Sequence, residues 1–328
     1  MRDEASQIRT AEMLITAFGD EIVSALKNPD VIEIMVNPDG RLWIETHGVG
    51  RRDSEIDIPP TEVERVIRIV ASHIGREANV ETPIVSAELP ITGERFEGVL
   101  PPVTPAPCFS IRKPAGRVIT LDEYVSSGVM SPHSAVALRE AVLDRANILI
   151  VGGTGSGKTT LANAILAEIA ETGDRVILLE DTRELHCAAK DTVAMRTQPG
   201  TATLSDLVRS TLRLRPDRII VGEVRGPEAL DMLKAWNTGH PGGVATLHAN
   251  SAEAGLYRLE QLIGEATHVI PNTLIAETID RLVFIRRIDG VRRVETVLKV
   301  AGSSVDGYEL EPITTCLKAV PSVERKHP

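Results

Sequence analysis

The sequence predicts an α/β domain over residues 119–328, preceded by a smaller α+β domain over residues 1–112 and a linker over residues 113–118. Three observations predict this arrangement. The first 112 residues mix helical and strand spacing. Beyond the linker, short apolar runs alternate with helical stretches, as in a mostly parallel sheet. Aromatic residues make up only 3% of the chain, so the core must consist mainly of Val, Ile, Leu and Ala, which suits such a sheet.

The N-terminal domain contains two predicted helices and four predicted strands. The helices, over residues 10–26 and 61–74, carry apolar residues at helical spacing on one face. The strands are predicted from short apolar runs over residues 31–36, 41–45, 95–100 and 109–112. The proline-rich stretch 101–107 cannot form a central strand, because proline lacks the N–H that strand pairing needs. A Lys-Pro-Ala-Gly segment at residues 113–116 then marks the break between the domains.

The C-terminal domain is predicted from five short apolar strands. They cover residues 147–151, 175–180, 218–222, 243–247 and 281–285. A helix is predicted over residues 158–171, directly after the first strand. Short buried strands separated by helices are typical of a parallel sheet, in which functional residues gather at the carboxyl ends of the strands.

Charge and cysteine usage exclude several classes of protein. The formal net charge is −10, so sequence-specific binding of nucleic acid is not expected. Cys108, Cys187 and Cys316 are odd in number and form no CxxC pair, so neither a disulfide framework nor a cysteine-rich zinc site is expected. The charged N-terminus indicates no signal peptide, and no apolar run reaches the roughly 18 residues of a membrane span. We therefore expect a cytoplasmic protein with no direct membrane span.

The strongest motif is a phosphate-binding loop between the first C-terminal strand and its helix. Residues 152–159 match GxxxxGK[ST] in the strand-to-helix context that this motif requires. Glycines let backbone N–H groups turn toward phosphates, and the helix N-terminus adds favourable partial charge. Lys158 is expected to reach the β- and γ-phosphates of ATP, and the Thr159 hydroxyl to bind Mg2+. The predicted nucleotide-binding residues are Gly153, Thr154, Gly155, Ser156, Gly157, Lys158, Thr159 and Thr160.

A second motif delivers a carboxylate to the same edge of the sheet. Glu223 follows the apolar strand 218–222 at the end that faces the phosphates. We predict that Glu223 orients or deprotonates the attacking water and contributes to Mg2+ binding. Gly222 stands where an aspartate is usual, so Mg2+ must be held more through Thr159, water and other carboxylates.

An acidic segment follows the strand 175–180. Glu180, Asp181 and Glu184 could supply a water-mediated shell for Mg2+ or a general base. The alternative is a solvated acidic loop, but a position at a strand end favours the functional interpretation.

A loop rich in glycine and histidine, residues 238–243, leads into a strand that ends near His248. We predict that His248 hydrogen-bonds the γ-phosphate or the catalytic glutamate and so couples hydrolysis to this loop. A single histidine is more often structural. A metal-ligand role is weaker still, because His240 and His248 share no metal-binding spacing with a carboxylate or a cysteine.

Arginines are the last residues in the sequence that could take part in phosphate chemistry. An arginine from a second domain or subunit could stabilise charge that develops on the γ-phosphoryl group. Each one taken singly is more often a surface residue. The candidates are Arg95 and Arg112 on predicted N-terminal strands, and Arg209, Arg213, Arg215, Arg218 and Arg225 around the Glu223 strand.

Together the four motifs resemble those of the secretion-superfamily traffic ATPases. The order in that family is P-loop, acidic box, modified Walker B strand and histidine box. The corresponding segments here are residues 152–159, 179–185, 219–225 and 245–250, and the resemblance continues through residues 95–102 and 109–113. Members of the family power conjugative and type IV secretion, type II secretion, and the extension or retraction of type IV pili.

Within this family, the short N-terminal domain and residues 153–160 most resemble the ATPases of conjugal transfer. Type II secretion and pilus-assembly members usually carry a four-cysteine zinc insert, whereas only Cys187 and Cys316 follow the P-loop here. Pilus-retraction motors also lack the insert, so a retraction-type motor stays open as an alternative.

The resemblance implies a RecA-like P-loop ATPase domain, a homohexameric ring, and a nucleotide bound where the two domains of a subunit meet. It also implies inner-membrane components of a secretion or conjugation machine as partners, and hence peripheral association with the inner membrane. Arg95 and Arg112 match the N-terminal arginines of the family that touch the γ-phosphate. The implied catalytic residues are Glu223, Lys158, Glu180, Glu184, His248, Arg95 and Arg112.

Two other functions could use the same core. A nucleic-acid motor such as a helicase is disfavoured by the acidic net charge and by the lack of interleaved aromatic residues for base stacking. A nucleotide-gated assembly scaffold, in which turnover is incidental, is disfavoured by Glu223.

Overall fold

The computed structural model describes residues 4–46, 49–90, 93–114, 117–198, 200–288, 290–305 and 307–314. The chain forms two compact units, residues 1–116 and 117–328. Ala115 and Gly116 of the predicted linker, and Cys316, lie outside the described residues. Within those described ranges, no helix is both long and apolar enough to cross a membrane.

The first unit is a six-stranded antiparallel sheet with two helices on one face. The strands are β1 (Val31–Val36), β2 (Arg41–Thr46), β3 (Gly50–Asp57), β4 (Ile84–Glu88), β5 (Arg95–Val99) and β6 (Cys108–Arg112). Their order is β3-β2-β1-β6-β5-β4. The helices are α1 (Glu4–Lys27) and α2 (Pro60–His73). Phe18 and Ile67 of the helices pack with Ile34, Leu42 and Phe109 of the sheet, which confirms the predicted α+β class.

Both edge strands of this sheet, β3 and β4, have no counterpart in the sequence prediction. β3 is polar along most of its length and only partly buried, so it carries no apolar run that would mark it. β4 has a single buried residue, Val85. Edge strands of this kind gain most of their stability from pairing with a neighbour, which sequence spacing does not reveal.

The second unit is built on an eight-stranded sheet. Its strands are β7 (Ile148–Gly152), β8 (Val176–Glu180), β9 (Thr192–Arg196), β10 (Arg218–Val224), β11 (Val244–His248), β12 (Arg281–Ile288), β13 (Val291–Ser304) and β14 (Gly307–Thr314). The order is β14-β13-β12-β7-β11-β10-β8-β9, and the six strands from β12 to β9 are parallel. β13 and β14 extend the sheet in antiparallel pairing. Every residue of β7 and β8 is buried, which explains their continuous apolar sequence.

Helices cover both faces of this sheet. One face carries α3 (Leu121–Ser126), α4 (Pro132–Leu143) and α5 (Lys158–Ala170). The other face carries α6 (Leu204–Thr211), α7 (Glu228–Asn237), α8 (Ala252–Gly264) and α9 (Asn272–Thr278). The predicted α/β class is confirmed, with β9, β13 and β14 added to the five predicted strands.

The amino-terminal edge of this sheet is fixed by a buried polar network. The Asn147 side chain accepts the backbone N–H groups of Gly242 and Gly243, each at 2.9 Å, and donates to the Thr278 carbonyl at 2.8 Å. Beside it, the Arg218 guanidinium donates to Asp174 at 2.6 Å. Burial alone would raise the pKa of Asp174, but the hydrogen bond and charge of Arg218 hold it below its usual value. Asn147 therefore ties the starts of β7 and β11 together.

Candidate active site

The loop after β7 has the backbone geometry of a phosphate cradle. Gly155 and Gly157 have φ angles of 69° and 101°, which side chains rarely adopt. Gly152 must also be glycine, because a Cβ there would collide with the carbonyl oxygen of Ile285. Gly157 is the N-cap of α5, which begins at Lys158, so the N–H groups of the first helical turn, which have no acceptor within a helix, face the loop.

Lys158 lies between this loop and the end of β11. Only 7% of Lys158 is exposed. Its Nζ is 3.2 Å from the carbonyl oxygen of Gly153 and 3.2 Å from Nδ1 of His248. The pKa of His248 is lowered, first by burial and then by the charge of Lys158. The imidazole is therefore neutral at pH 7 and can accept from the lysine.

Glu223 meets the other side of His248. Its Oε1 lies 2.6 Å from Nε2 of His248, without the alignment of a hydrogen bond. Its Oε2 accepts from Nε of Arg225 at 2.8 Å and from the Nη2 of the same arginine. The structure thus brings Lys158, His248 and Glu223 together at the carboxyl edge of the sheet.

Arg225, one of the candidate arginines, lies in this cluster, although its contact with Glu223 was not predicted. Besides its contact with Glu223, its Nη1 is 3.8 Å from Oδ2 of Asp181. The Glu228 carboxylate accepts the backbone N–H groups of Arg225 and Gly226 at 2.7 and 2.8 Å, which fixes the turn that presents the arginine. Its position two residues after Glu223 on a strand end, where alternate side chains share a face, was the available signal.

The acidic segment after β8 closes the site around Thr159. Glu180 is 5% exposed and accepts the backbone N–H groups of Glu184 and Leu185 at 2.8 and 2.7 Å. Burial raises the pKa of Glu180, although these N–H groups oppose the shift. The Thr159 hydroxyl donates to Glu184 at 3.3 Å.

Gly222 leaves room for the Glu180 side chain. A Cβ on Gly222 would lie 3.1 Å from Cγ of Glu180. The missing aspartate of the Glu223 strand therefore has a steric explanation, since a neighbouring carboxylate already lies in that space.

The donor set fits Mg2+ bound together with a nucleotide. In the part of the chain that the structure describes, no group of three or more His, Cys, Asp or Glu is placed to hold a metal ion. Mg2+ usually takes only one or two protein ligands and completes its shell with water and substrate phosphates. The Thr159 hydroxyl, with the Glu184 carboxylate beside it, is a set of this kind.

The two N-terminal arginines lie side by side in the first unit. Arg95 on β5 and Arg112 on β6 are direct cross-strand partners, so their Cβ atoms are about 5 Å apart. They belong to a charged row that crosses all six strands. In strand order from β4 to β3, this row is Glu88, Arg95, Arg112, Glu33, Glu45 and Arg51.

The glycine- and histidine-rich loop does not reach the site. Residues 238–243 precede β11 and lie at the amino-terminal edge of the sheet, where Asn147 holds Gly242 and His240 contacts the Pro216 carbonyl at 3.0 Å. Only His248, at the far end of β11, joins the cluster around Lys158. β11 is the segment of chain that joins this loop to His248.

Comparison with solved structures supports the fold. The pilus retraction motor PilT with bound ADP superimposes with a TM-score of 0.60 at 19% identity, covering 90% of this chain and 82% of that one. The ATPase DotB of Legionella pneumophila gives a TM-score of 0.58 at 21% identity, covering 83% of this chain and 77% of that one. The RecA-like fold with a preceding α+β domain is confirmed.

Sequence comparison places the chain in a family. It is 50% identical over 310 residues to the conjugal transfer protein TrbB of Rhizobium radiobacter, covering 93% of this chain and 95% of the relative. The model of the family described as "Type II/IV secretion system protein" matches residues 19–301. The chain therefore belongs to the Type II/IV secretion system protein family.

Proposed function

We propose that this chain hydrolyses ATP to power conjugative transfer through a type IV secretion machine. Membership of the secretion family, together with the P-loop, makes it an ATP hydrolase. The observation that carries the proposal is the cluster of Lys158, His248 and Glu223 beside the N-terminus of α5. The relative that is 50% identical is named for conjugal transfer, which favours conjugation over pilus retraction.

Each side chain of the cluster has a chemical role in this proposal. Lys158 binds the β- and γ-phosphates, and the backbone N–H groups of the P-loop complete the cradle. Glu223 orients or deprotonates the attacking water. His248 contacts both Lys158 and Glu223, so it is placed to sense when either moves. Arg95 and Arg112 supply the arginine charge that phosphoryl transfer needs.

Thr159 would hold Mg2+, with Glu223, Glu180 and Glu184 supporting it. The ion would neutralise charge on the phosphate oxygens. Glu184 already lies 3.3 Å from the Thr159 hydroxyl. Glu180 fixes the backbone of Glu184 through the hydrogen bond to its N–H, so the first carboxylate positions the second.

Hydrolysis requires that existing contacts of Glu223 and Lys158 change. Both oxygens of Glu223 lie against His248 or Arg225. Lys158 contacts His248 and the Gly153 carbonyl. We infer that the phosphates draw Lys158 away from His248, which lets His248 and Glu223 rearrange around the water.

At the level of assembly, we propose a homohexameric ring in which hydrolysis drives domain motion. The ring would be cytoplasmic and would associate peripherally with inner-membrane components of the secretion machine. Membership of the family and the similarity to a conjugal transfer protein support both features of this proposal.

The test is phosphate release by the purified full chain with ATP and Mg2+, alongside its mass in solution. Lys158→Ala and Glu223→Gln should each abolish turnover, and Glu223→Gln should retain ATP binding. Lys234→Ala and Glu253→Gln, which change exposed residues on α7 and α8, are the matched controls and should keep full activity. Normal turnover in Lys158→Ala would defeat the assignment. Turnover that appears only with added DNA would favour a nucleic-acid motor.

A further inference from the structure

Arg292 on β13 lies against the P-loop, although no sequence motif marks it. Its Cδ and Nε are 3.1 and 3.4 Å from the point where a Cβ on Gly157 would lie. Ile285 approaches the same point to 3.5 Å. Gly157 is the N-cap of α5 and directly precedes Lys158. The aliphatic part of Arg292 therefore packs on the turn that forms the phosphate cradle.

The guanidinium of Arg292 carries a donor that the described residues leave unsatisfied. Its Nε is buried and has no hydrogen-bond partner among them. Tyr124 is near enough for the charge of Arg292 to influence it, but burial dominates and raises the pKa of Tyr124, so the phenol stays neutral. The residue directly opposite across the strand pair is Arg287, a second cation. A buried cationic donor without an acceptor is costly unless a ligand completes it.

Positive charge accumulates at this point of the fold. The N-terminus of α5 carries a partial positive charge, and Lys158 and Arg292 lie at the same turn. An anionic ligand stabilises positive charge of this kind. The arrangement therefore favours an anionic ligand that is larger than the γ-phosphate alone.

The strand order indicates which part of a nucleotide Arg292 would meet. β11 and β10, which carry His248 and Glu223, lie on one side of β7, and β12 and β13 lie on the other. With its γ-phosphate at Glu223, a nucleotide that crosses β7 presents its α-phosphate and ribose to β12 and β13. Arg292 approaches the P-loop from that second side.

Resting on the ATPase function proposed above, we propose that Arg292 binds the α-phosphate and ribose end of the nucleotide. The guanidinium presents a rigid fork of donors that suits phosphate oxygens. The hairpin of β12 and β13 is thereby part of the nucleotide site, and Arg292 is a binding residue in addition to the P-loop.

Isothermal titration of the full chain with ADP, and separately with inorganic phosphate, tests this assignment. Inorganic phosphate is a single phosphate group without the α-phosphate–ribose end, so it reports on the P-loop alone. Arg292→Met keeps an apolar stem to pack on Gly157 and removes the donors. Arg292→Lys keeps the charge and loses the fork. Arg293→Ala is the matched control, because neighbouring residues of a strand point to opposite faces.

We expect Arg292→Met to weaken ADP binding about tenfold, the usual effect of losing a charge-assisted hydrogen bond. Binding of inorganic phosphate should change less than twofold. Arg292→Lys should bind ADP with intermediate affinity, and Arg293→Ala should match the wild type. Unchanged ADP affinity in Arg292→Met overturns the proposal. So does an equal loss for ADP and inorganic phosphate, which would mean general damage to the loop. A wild-type chain that binds neither ligand would instead refute the ATPase function itself.

Discussion

Glu180 occupies the space beside Gly222 that a side chain at position 222 would fill. The approach is 3.1 Å from Cγ of Glu180 to the position of the missing Cβ. A side chain at position 222 therefore pushes against Glu180, which holds the following loop through its bonds to Glu184 and Leu185. The glycine and the buried glutamate are therefore one structural unit, contributed by two adjacent strands.

Gly222→Asp should therefore lower ATPase activity, although it supplies the aspartate that other P-loop proteins have at this position. The new carboxylate would displace Glu180 and place a second negative charge beside it. We expect a loss of at least about tenfold in turnover and a lower melting temperature. Gly222→Ala, which adds only the Cβ, should have a smaller effect. Steady-state phosphate release checks this, and wild-type turnover in Gly222→Asp would contradict the steric explanation.

Glu180→Gln should lower the turnover of ATP without lowering the free energy of unfolding at pH 7. Since burial raises the pKa of Glu180 above the usual 4.5, the folded state keeps a proton that the unfolded chain releases. The stability contribution of this carboxyl is thus complete below pH 4.5 and is lost as pH rises through the folded pKa. Glutamine remains neutral and can still accept the two N–H groups.

We therefore expect Glu180→Gln to be at least as stable as the wild type at pH 7, with the difference shrinking toward pH 4.5, while turnover falls. Urea unfolding at several pH values measures this, with the exposed Glu253→Gln as control. Glu180→Ala should lose about 1–3 kcal/mol, because it leaves buried N–H groups without an acceptor. A Gln variant that is as destabilised as the Ala variant would show that the charge itself is needed for folding.

The pKa of His248 should rise when Lys158 is removed. Burial and the charge of Lys158 both lower it from 6.5, and Lys158→Ala abolishes the second cause. Because the folded pKa is depressed, the contribution of neutral His248 to stability is present above pH 6.5 and is lost as pH falls through the folded value. NMR titration of the His248 ring checks the shift, with Lys234→Ala as control. A pKa that stays the same or falls in Lys158→Ala would rule out the lysine as a cause.

Arg218→Met should destabilise the second unit strongly. Arg218 is 1% exposed and pairs with the buried Asp174, so among the described residues its loss leaves this buried charge with only the partly exposed Arg145 as a cationic partner. We expect a cost of about 3–5 kcal/mol in the free energy of unfolding. Arg145 contacts the same carboxylate from a side chain that is 44% exposed, so Arg145→Met should cost about 1 kcal/mol or less. Urea unfolding near pH 7 compares the two variants. Equal losses in the free energy of unfolding would show that burial does not decide the strength of an ion pair with Asp174.

Local sequence signals predicted the parts of the fold that depend on neighbours in the chain. The P-loop was found because its glycines, Lys158 and Thr159 are consecutive and lie between a buried strand and a helix. The carboxyl edge of the sheet was then predicted to carry the other candidate residues, because parallel strands end at the same side of a sheet. The roles of the individual side chains stay predictions until the variants are measured.

Relationships across distant strands could not be read in this way. Gly222 and Glu180 are separated by a helix and a further strand, and Arg292 lies far beyond Gly157 in the chain. The edge strand β3 is too polar to show an apolar run, and the apolar run of the edge strand β9 is only three residues long. In each case the deciding contact depends on which strands become neighbours, and spacing along the sequence carries no record of that pairing.

The two hydrogen bonds that join the Asn147 side chain to Gly242 and Gly243 have a consequence for the opposite end of the sheet. β7 and β11 each contain five residues and pair from Ile148 with Val244 to Gly152 with His248. Two strands that start level and have the same length also finish level, after about 13 Å. Asn147 thus fixes where the His248 imidazole lies relative to the P-loop along the strand direction. A one-residue insertion in β7 or in β11 would shift His248 relative to the P-loop, although no residue of the site itself would change.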